Sequence, residues 1–383
     1  MTTKWFVPGR IEVLGKHTDY AGGRSLLCAV ERGFTVTVTP REDDVVEVSG
    51  AGPGNYTETV RRRFARNFPH ATRGGAIFLD TDLPAAAGLS SSSAMMIGIF
   101  LGLADLNGLR SDPAAASIFR SPEALAGYLG TVENGQSFEQ FTGDRGVGTF
   151  GGSEDHTAIL CCTEGALSQY GFCPVQHERT IALDPSWTFA IAVSGVTANK
   201  TGAARALYNG AVESVQQMLA VWREATGRDD QVLAHALASE PDAGERLRQL
   251  LTHSGHDRLI PRLEQFIDES HIIVPSAAEE LAAGNMQAFG ALVDRSQALA
   301  ERGLGNQVPE TIHLARSARM FGAEAASAFG AGFGGSVWAL VRTDQAQPFI
   351  DCWRTEYEEK FPAAAHSATF FATRPGPPAY RLE

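Results

Sequence analysis

The sequence is short of what a membrane protein, a disulfide scaffold or a nucleic-acid binder requires. Its longest uncharged apolar run, Ala94 to Ala104, is too short to cross a bilayer, and the opening MTTKWFVPGR holds no signal-peptide core. Five cysteines, Cys28, Cys161, Cys162, Cys173 and Cys352, are an odd number without metal-ligand spacing. They predict reduced core thiols and no zinc site. Positive charge is also scarce: the formal net charge is −12, which argues against nucleic acid or an anionic membrane as the main partner. A bound phosphate is still allowed, because a pocket needs only local donors. Internal repeats and long disordered linkers are missing. So is the phosphate-loop pattern G-x-x-x-x-G-K-[ST]: a Gly-Lys pair lies within Gly9 to His17, but its spacing is wrong and His17 stands where Ser or Thr is needed. These absences predict a soluble cytoplasmic protein.

What is present predicts an α+β protein. A chain of 383 residues with 44% hydrophobic content is long for one core, so two domains are expected, 1–184 and 185–383, divided at the polar step Asp184-Pro185. Thr35 to Thr39, Val45 to Val48 and Ala76 to Leu79 read as strands of one sheet. Thr57 to Phe68 has helical spacing and a basic face, which predicts a solvated surface helix. Ser90 to Leu106 is apolar nearly all round and predicts a buried helix. Beyond the boundary come a strand at Thr188 to Val193, a helix with Val212, Val215, Leu219 and Trp222 on one face, further helices between Asp230 and Met320, and a strand at Val337 to Val341.

Glycine and serine are concentrated in three distant places: ⁹GRIEVLGKHTDYAGG, ⁸³LPAAAGLSSSSA and ³³⁰GAGFGG. In the second, Pro84 closes a strand, and small residues up to Gly88 let the main chain pass close to a ligand. A helix then starts among Leu89, Ser90, Ser91, Ser92 and Ser93. Amides at a helix N-terminus lack internal partners and carry the positive end of the helix dipole, so they suit an anion, and adjacent hydroxyls can take a phosphate oxygen or magnesium. A serine at this start can also cap the amides. The expected ligand is a nucleoside triphosphate. The third segment, with Gly332 and Gly334, permits positive φ and close backbone approach.

Taken in order, these segments resemble the GHMP kinases, most closely their galactokinase branch. Gly9-Arg10, Gly15, His17-Thr18-Asp19-Tyr20 and Gly22-Gly23 are similar to the galactokinase signature. The serine segment resembles the family's phosphate loop, and ³³⁰GAGFGG its C-terminal glycine motif. Ala204 to Asn209 and Val308-Pro309-Glu310 also fall where galactokinases carry similar sequence. The resemblance implies a two-domain GHMP kinase fold with the active site in the cleft between domains, and transfer of the γ-phosphoryl of ATP to the anomeric hydroxyl of a monosaccharide. By carry-over, Asp155 of ¹⁵¹GGSEDH faces that hydroxyl, with Glu154 as a rival base and Arg10 beside it. Ser92 and Glu133 hold Mg2+. Pro84, Gly88 to Ser93, Gly332 and Gly334 bind ATP. Lys16, His17, Asp19, Gly152 and Tyr208 contact the sugar.

The chain departs from the family's pattern in four places. Galactokinases usually have Glu where Lys16 stands, near the sugar's C6 hydroxyl. A cation there suggests a uronic acid such as galacturonate as acceptor, with a pentose such as arabinose as a further alternative. The catalytic stretch reads Gly-Ser-Glu-Asp-His in place of the usual Gly-Ile-Met-Asp-Gln. Gln136 to Phe150 is longer than usual and suggests a loop over the cleft, and Ala86 replaces a glycine. A non-catalytic sugar and nucleotide sensor would predict a damaged phosphate loop or a lost Asp-Arg pair, and both are intact here.

Overall fold

A computed structural model describes residues 2–52, 54–84, 87–196 and 202–382. Ala85 and Ala86 of the serine segment lie outside the described residues, as does the side chain of Ala204.

The strands are β1 (Thr3–Leu14), β2 (Arg24–Pro40), β3 (Val46–Gly50), β4 (Gly75–Thr81), β5 (Ala166–Gly171), β6 (Gln176–Ala182), β7 (Trp187–Val193), β8 (Ala325–Phe329), β9 (Ser336–Arg342), β10 (Thr369–Thr373) and β11 (Tyr380–Arg381). Seven of them form one sheet in the order β11-β1-β2-β4-β3, with β5 on the free stretch of β2 and β6 beside β5. The other four form an antiparallel sheet, β10-β7-β9-β8. The three sequence runs expected to share a sheet do so, in β2, β3 and β4.

Four helices build the first half: α1 (Gly54–Asn67), α2 (Ser91–Asn107), α3 (Pro122–Asn134) and α4 (Glu154–Cys161). Helix α2 is apolar all round because it is covered all round, with Ala94 to Ala104 buried. Its glycines let it press onto β2: a Cβ at Gly98 would lie 2.6 Å from Val36 Cγ2. The basic face of α1 is less solvated than its composition suggests. Arg63 is fully buried, donating to the carbonyl of Gln136 and to Asn67.

Helix α5 (Gly202–Thr226) buries Val215, Leu219 and Trp222 against the helices that follow, and Val212 on the same helix is buried as well. A continuous helical path through Ile260–Ile267, Asp268–Ile273 and Val274–Ala282 brings polar side chains back under the N-terminal strands. Asp184-Pro185 falls between β6 and β7, strands of different sheets. The division is not complete, because β11 returns to β1 and one apolar cluster holds residues of both sheets, among them Val36, Ile191 and Trp338. Of the five thiols, Cys28 and Cys162 are core residues, but Cys173 and Cys352 are exposed, so the expectation of core thiols holds only in part. Among the described residues, no helix is long and apolar enough to cross a membrane.

Candidate active site

Residues alternate faces along a strand, so Arg10 and Glu12 of β1 point the same way, into a cleft. The Arg10 guanidinium holds Asp155 Oδ1 from Nη2 at 2.6 Å and from Nε at 2.8 Å. Its Nη1 donates to the Gly88 carbonyl at 2.6 Å, and its backbone amide to that of Leu89 at 3.1 Å. Burial alone would lower the Arg10 pKa, but Asp155, Glu154 and Glu12 together leave it raised. Asp155 sits in the first turn of α4, where the helix dipole favours a carboxylate. Its Oδ2 lies 3.3 Å from Ser93 Oγ, which is also 3.0 Å from Glu133 Oε2. A hydroxyl between two carboxylates, one of them buried, is an oxygen donor set that suits magnesium. The serine in that position is Ser93, which corrects the expectation of Ser92. The helix begins at Ser91, so Ser91 and Ser92 are half-buried at its mouth while Ser93 turns inward.

The capping expectation is also corrected. Ser90 occupies the N-cap position with φ 57°, and it makes no side-chain cap. Its Oγ is buried without a hydrogen-bond partner. A buried hydroxyl left unpaired costs stability unless a ligand satisfies it, which fits a phosphate-binding turn. Gly88, at φ 70°, supplies the matching left-handed bend. The C-terminal glycine segment packs on this turn: Ser336 Oγ donates to the Ala87 carbonyl, and a Cβ on Gly330 would sit 3.2 Å from the Gly88 carbonyl oxygen. Gly332 and Gly334 press instead on the backbones of Asn306 and Val196.

The His-Thr-Asp-Tyr turn meets the same cleft. His17 has φ 58°, and its carbonyl accepts from Arg262 Nη2 at 2.6 Å. Its Nε2 lies 3.1 Å from the Ala331 carbonyl, which can only accept, so the proton is on Nε2 and Nδ1 accepts from the Tyr20 hydroxyl at 2.9 Å. Burial pushes the Tyr20 phenol up to about 12, which keeps that proton in place. Asp19 Oδ2 takes the Glu154 amide at 3.1 Å, one of the free donors at the start of α4. Gly152 lies against it so closely that a Cβ would be 2.5 Å from Asp19 Oδ2. Tyr208 closes the wall, its ring 5.3 Å from that of His17. Burial, with Asp19 and Tyr20 beside it, raises its phenol well above the ordinary value.

Lys16 is the main correction. It is buried, and its Nζ donates to Ser296 Oγ at 3.1 Å, away from the cleft. Ser296 in turn donates to Glu269 Oε1, which also accepts from the Gly15 amide. Lys16 therefore does not line the cleft, and the galacturonate expectation loses the support it drew from this residue. Gln136 to Phe150 is tied down by Arg62–Asp144 at 2.8 Å and by the Phe150 amide on Asn209 at 3.2 Å. It packs on α1 and α3, and Thr149 at its end lines the cleft.

Three further residues line the cleft that the motifs did not single out: Glu12, Thr149 and His156. A sequence signal existed for Glu12: polar and apolar residues alternate through Arg10, Ile11, Glu12 and Val13, and alternate residues of a strand share a face. His156 lay in the departing Gly-Ser-Glu-Asp-His stretch, and nothing local marked Thr149.

Three family models match the chain: "Galactokinase galactose-binding signature" over residues 3–40, "GHMP kinases N terminal domain" over 55–128 and "GHMP kinases C terminal" over 277–359. The chain is similar to the galactokinase of Roseiflexus sp. (strain RS-1), at 24% identity over 96% of this chain and 90% of that one. It is also similar to that of Chloroflexus aurantiacus, at 26% over 90% and 85%. Its fold matches the crystal structure of Lactococcus lactis galactokinase complexed with galactose, with a TM-score of 0.80, 22% identity, and coverage of 100% of this chain and 95% of that one. The mevalonate kinase of L. major in complex with R-mevalonate is a more distant likeness, with a TM-score of 0.60 and 16% identity over 98% and 96%.

Proposed function

From the premise that the chain belongs to the GHMP kinases and is galactokinase-like among them, we infer an ATP-dependent sugar kinase that phosphorylates the anomeric hydroxyl of a monosaccharide. The observation that carries this reading is the junction of three distant segments at one point: Arg10 touches both the phosphate turn at Gly88 and Asp155, while His17 touches the glycine segment at Ala331.

In this reading the γ-phosphoryl of ATP lies at the mouth of α2, among Gly88 to Ser93. The sugar lies against Asp19, Gly152 and Tyr208. The anomeric oxygen attacks phosphorus as the bond to the β–γ bridging oxygen breaks, and its proton passes to Asp155. Arg10 keeps Asp155 ionised and offsets negative charge in the transition state. Ser93 and Glu133 would hold magnesium, which when bound neutralises charge on the phosphates. His17 has both ring nitrogens engaged by protein, so it shapes the wall and fixes Tyr20. Glu154 lines the cleft too, but Arg10 and Ser93 address Asp155, which favours Asp155 over this rival as the base.

The acceptor is a neutral sugar, with galactose first in line from the named relatives and arabinose behind it. The test is a panel of galactose, glucose, arabinose and galacturonate assayed with ATP and magnesium. Phosphorylation of at least one at the anomeric oxygen is expected, and ATP turnover with none of them would overturn the reading.

A further inference from the structure

Two acids crowd the acceptor side of the cleft, and the proposed reaction uses neither. Glu12 and Glu154 are both buried and both line it. Each adds negative charge beside the other, in a cleft wall that both help to form. The remaining contacts of Glu154 are internal: its Oε2 accepts from Ser25 Oγ at 2.7 Å. Glu12 is different, because its Oε1 is buried and has no hydrogen-bond partner among the described residues. A carboxyl oxygen in that state is costly unless something donates to it. Glu154 stands out against the family pattern in charge: it replaces a usual Met, while Lys16 stands where the family usually has an acid.

We propose that Glu12 and Glu154 form an acid pair on the wall of the acceptor pocket, which accepts a hydroxyl hydrogen of a neutral sugar at Glu12 Oε1 and rejects a sugar carboxylate. The proposal rests on the sugar-kinase reading and deepens it, by naming the acceptor class and the residues that select it. Lys16 and Arg10 limit the charge of the pair from two sides, and Glu269, Asp19 and Asp155 add negative charge around it. Burial raises Glu12 to about 7 and Glu154 well above its usual value. A uronate would add a further anion to this group without a cation to meet it, since Arg10 is committed to Asp155 and Lys16 points to Ser296.

The experiment compares wild type with Glu12→Gln and Glu154→Gln, each first checked by thermal melting. For each, kcat/KM is measured with galacturonate and with the neutral sugar that the wild type turns over fastest. The wild type should prefer the neutral sugar by at least about a hundredfold, a free-energy gap within reach of one misplaced charge. Either variant should shrink that ratio about tenfold or more, mainly through the sugar KM, with the KM for ATP unchanged. A merely structural role would not move the ratio between two sugars. Calorimetric binding of the same two sugars without ATP reads the discrimination independently of turnover. If the wild type turns over no sugar but binds the neutral one selectively, the kinase reading fails and the acid pair stands. If the wild type binds or uses galacturonate as well as the neutral sugar, or if both folded variants keep the wild-type ratio, the acid pair is overturned.

Discussion

Arg10 and Lys16 are cations on the same short segment, both buried, and the structure puts them to opposite uses. Arg10 faces the cleft and joins the phosphate turn to Asp155. Lys16 faces the interior and joins the N-terminal turn to the helices of the second half through Ser296, with Glu269 one bond further. A buried cation therefore reveals nothing of function until its partner is known. Arg10 sits between groups that a ligand can reach, and Lys16 between groups that only the fold can reach. The same contrast separates the two ends of the cleft. At the phosphoryl end Arg10 pairs with Asp155, whereas at the acceptor end the buried acids Glu12 and Glu154 gather.

The comparison can be broken most decisively at Asp155. Asp155→Asn keeps the shape but cannot take the sugar's proton, so kcat should fall about a thousandfold or more, while binding of a non-hydrolysable ATP analogue persists. A variant with near-normal kcat would remove Asp155 from the chemistry and leave Arg10 as structural as Lys16. Next in size is Lys16→Met, which strips a buried cation from beside Glu12 and Glu269. Stability should drop by about 3 kcal/mol in urea unfolding, and the order of sugar preference should stay as in wild type. A changed order would place Lys16 on the cleft after all.

The acid pair supplies a third test, on the order of 2 kcal/mol. Glu12 has a folded pKa above its unfolded value, so the folded state binds more protons between about 4.5 and about 7. Its contribution to stability is complete at and below pH 4.5 and is lost as pH rises towards 7. Urea midpoints followed across that window should decline in wild type and decline less in Glu12→Gln; equal slopes would deny the raised value. The smallest effect is expected from Gly152→Ala, whose added Cβ would meet Asp19 Oδ2 at 2.5 Å. Displacing Asp19 should raise the sugar KM about tenfold, roughly 1.4 kcal/mol, and leave the KM for ATP alone. A matching rise for ATP would show that the two ends of the cleft are not separable.

Much of the frame was legible in the chain itself. Helix α2 could be read as buried because apolar residues surround it on every side, and the strands of the first sheet because their β-branched residues cluster. The phosphate turn was legible for a related reason. Small residues and a serine run at a helix start have local consequences, and those consequences do not wait for the rest of the fold. The Arg10–Asp155 pair became visible only through the resemblance to a family, since nothing near Arg10 in sequence announces a partner 145 positions away.

The motifs and the family they resemble thus pointed to the kinds of group that gather in the cleft: amides and hydroxyls at a helix mouth, an arginine, an aspartate, and glycines where the backbone must come close. Direction was left to the tertiary structure. Whether Ser92 or Ser93 meets Glu133 depends on the phase in which the helix starts. Whether Lys16 meets a sugar or Ser296 depends on a helix 280 residues further along the chain. Whether Glu12 and Glu154 line one pocket depends on a strand and a helix being pressed together. Side-chain chemistry is a property of each residue, but burial and partnership belong to pairs, and pairs exist only once the chain has closed on itself.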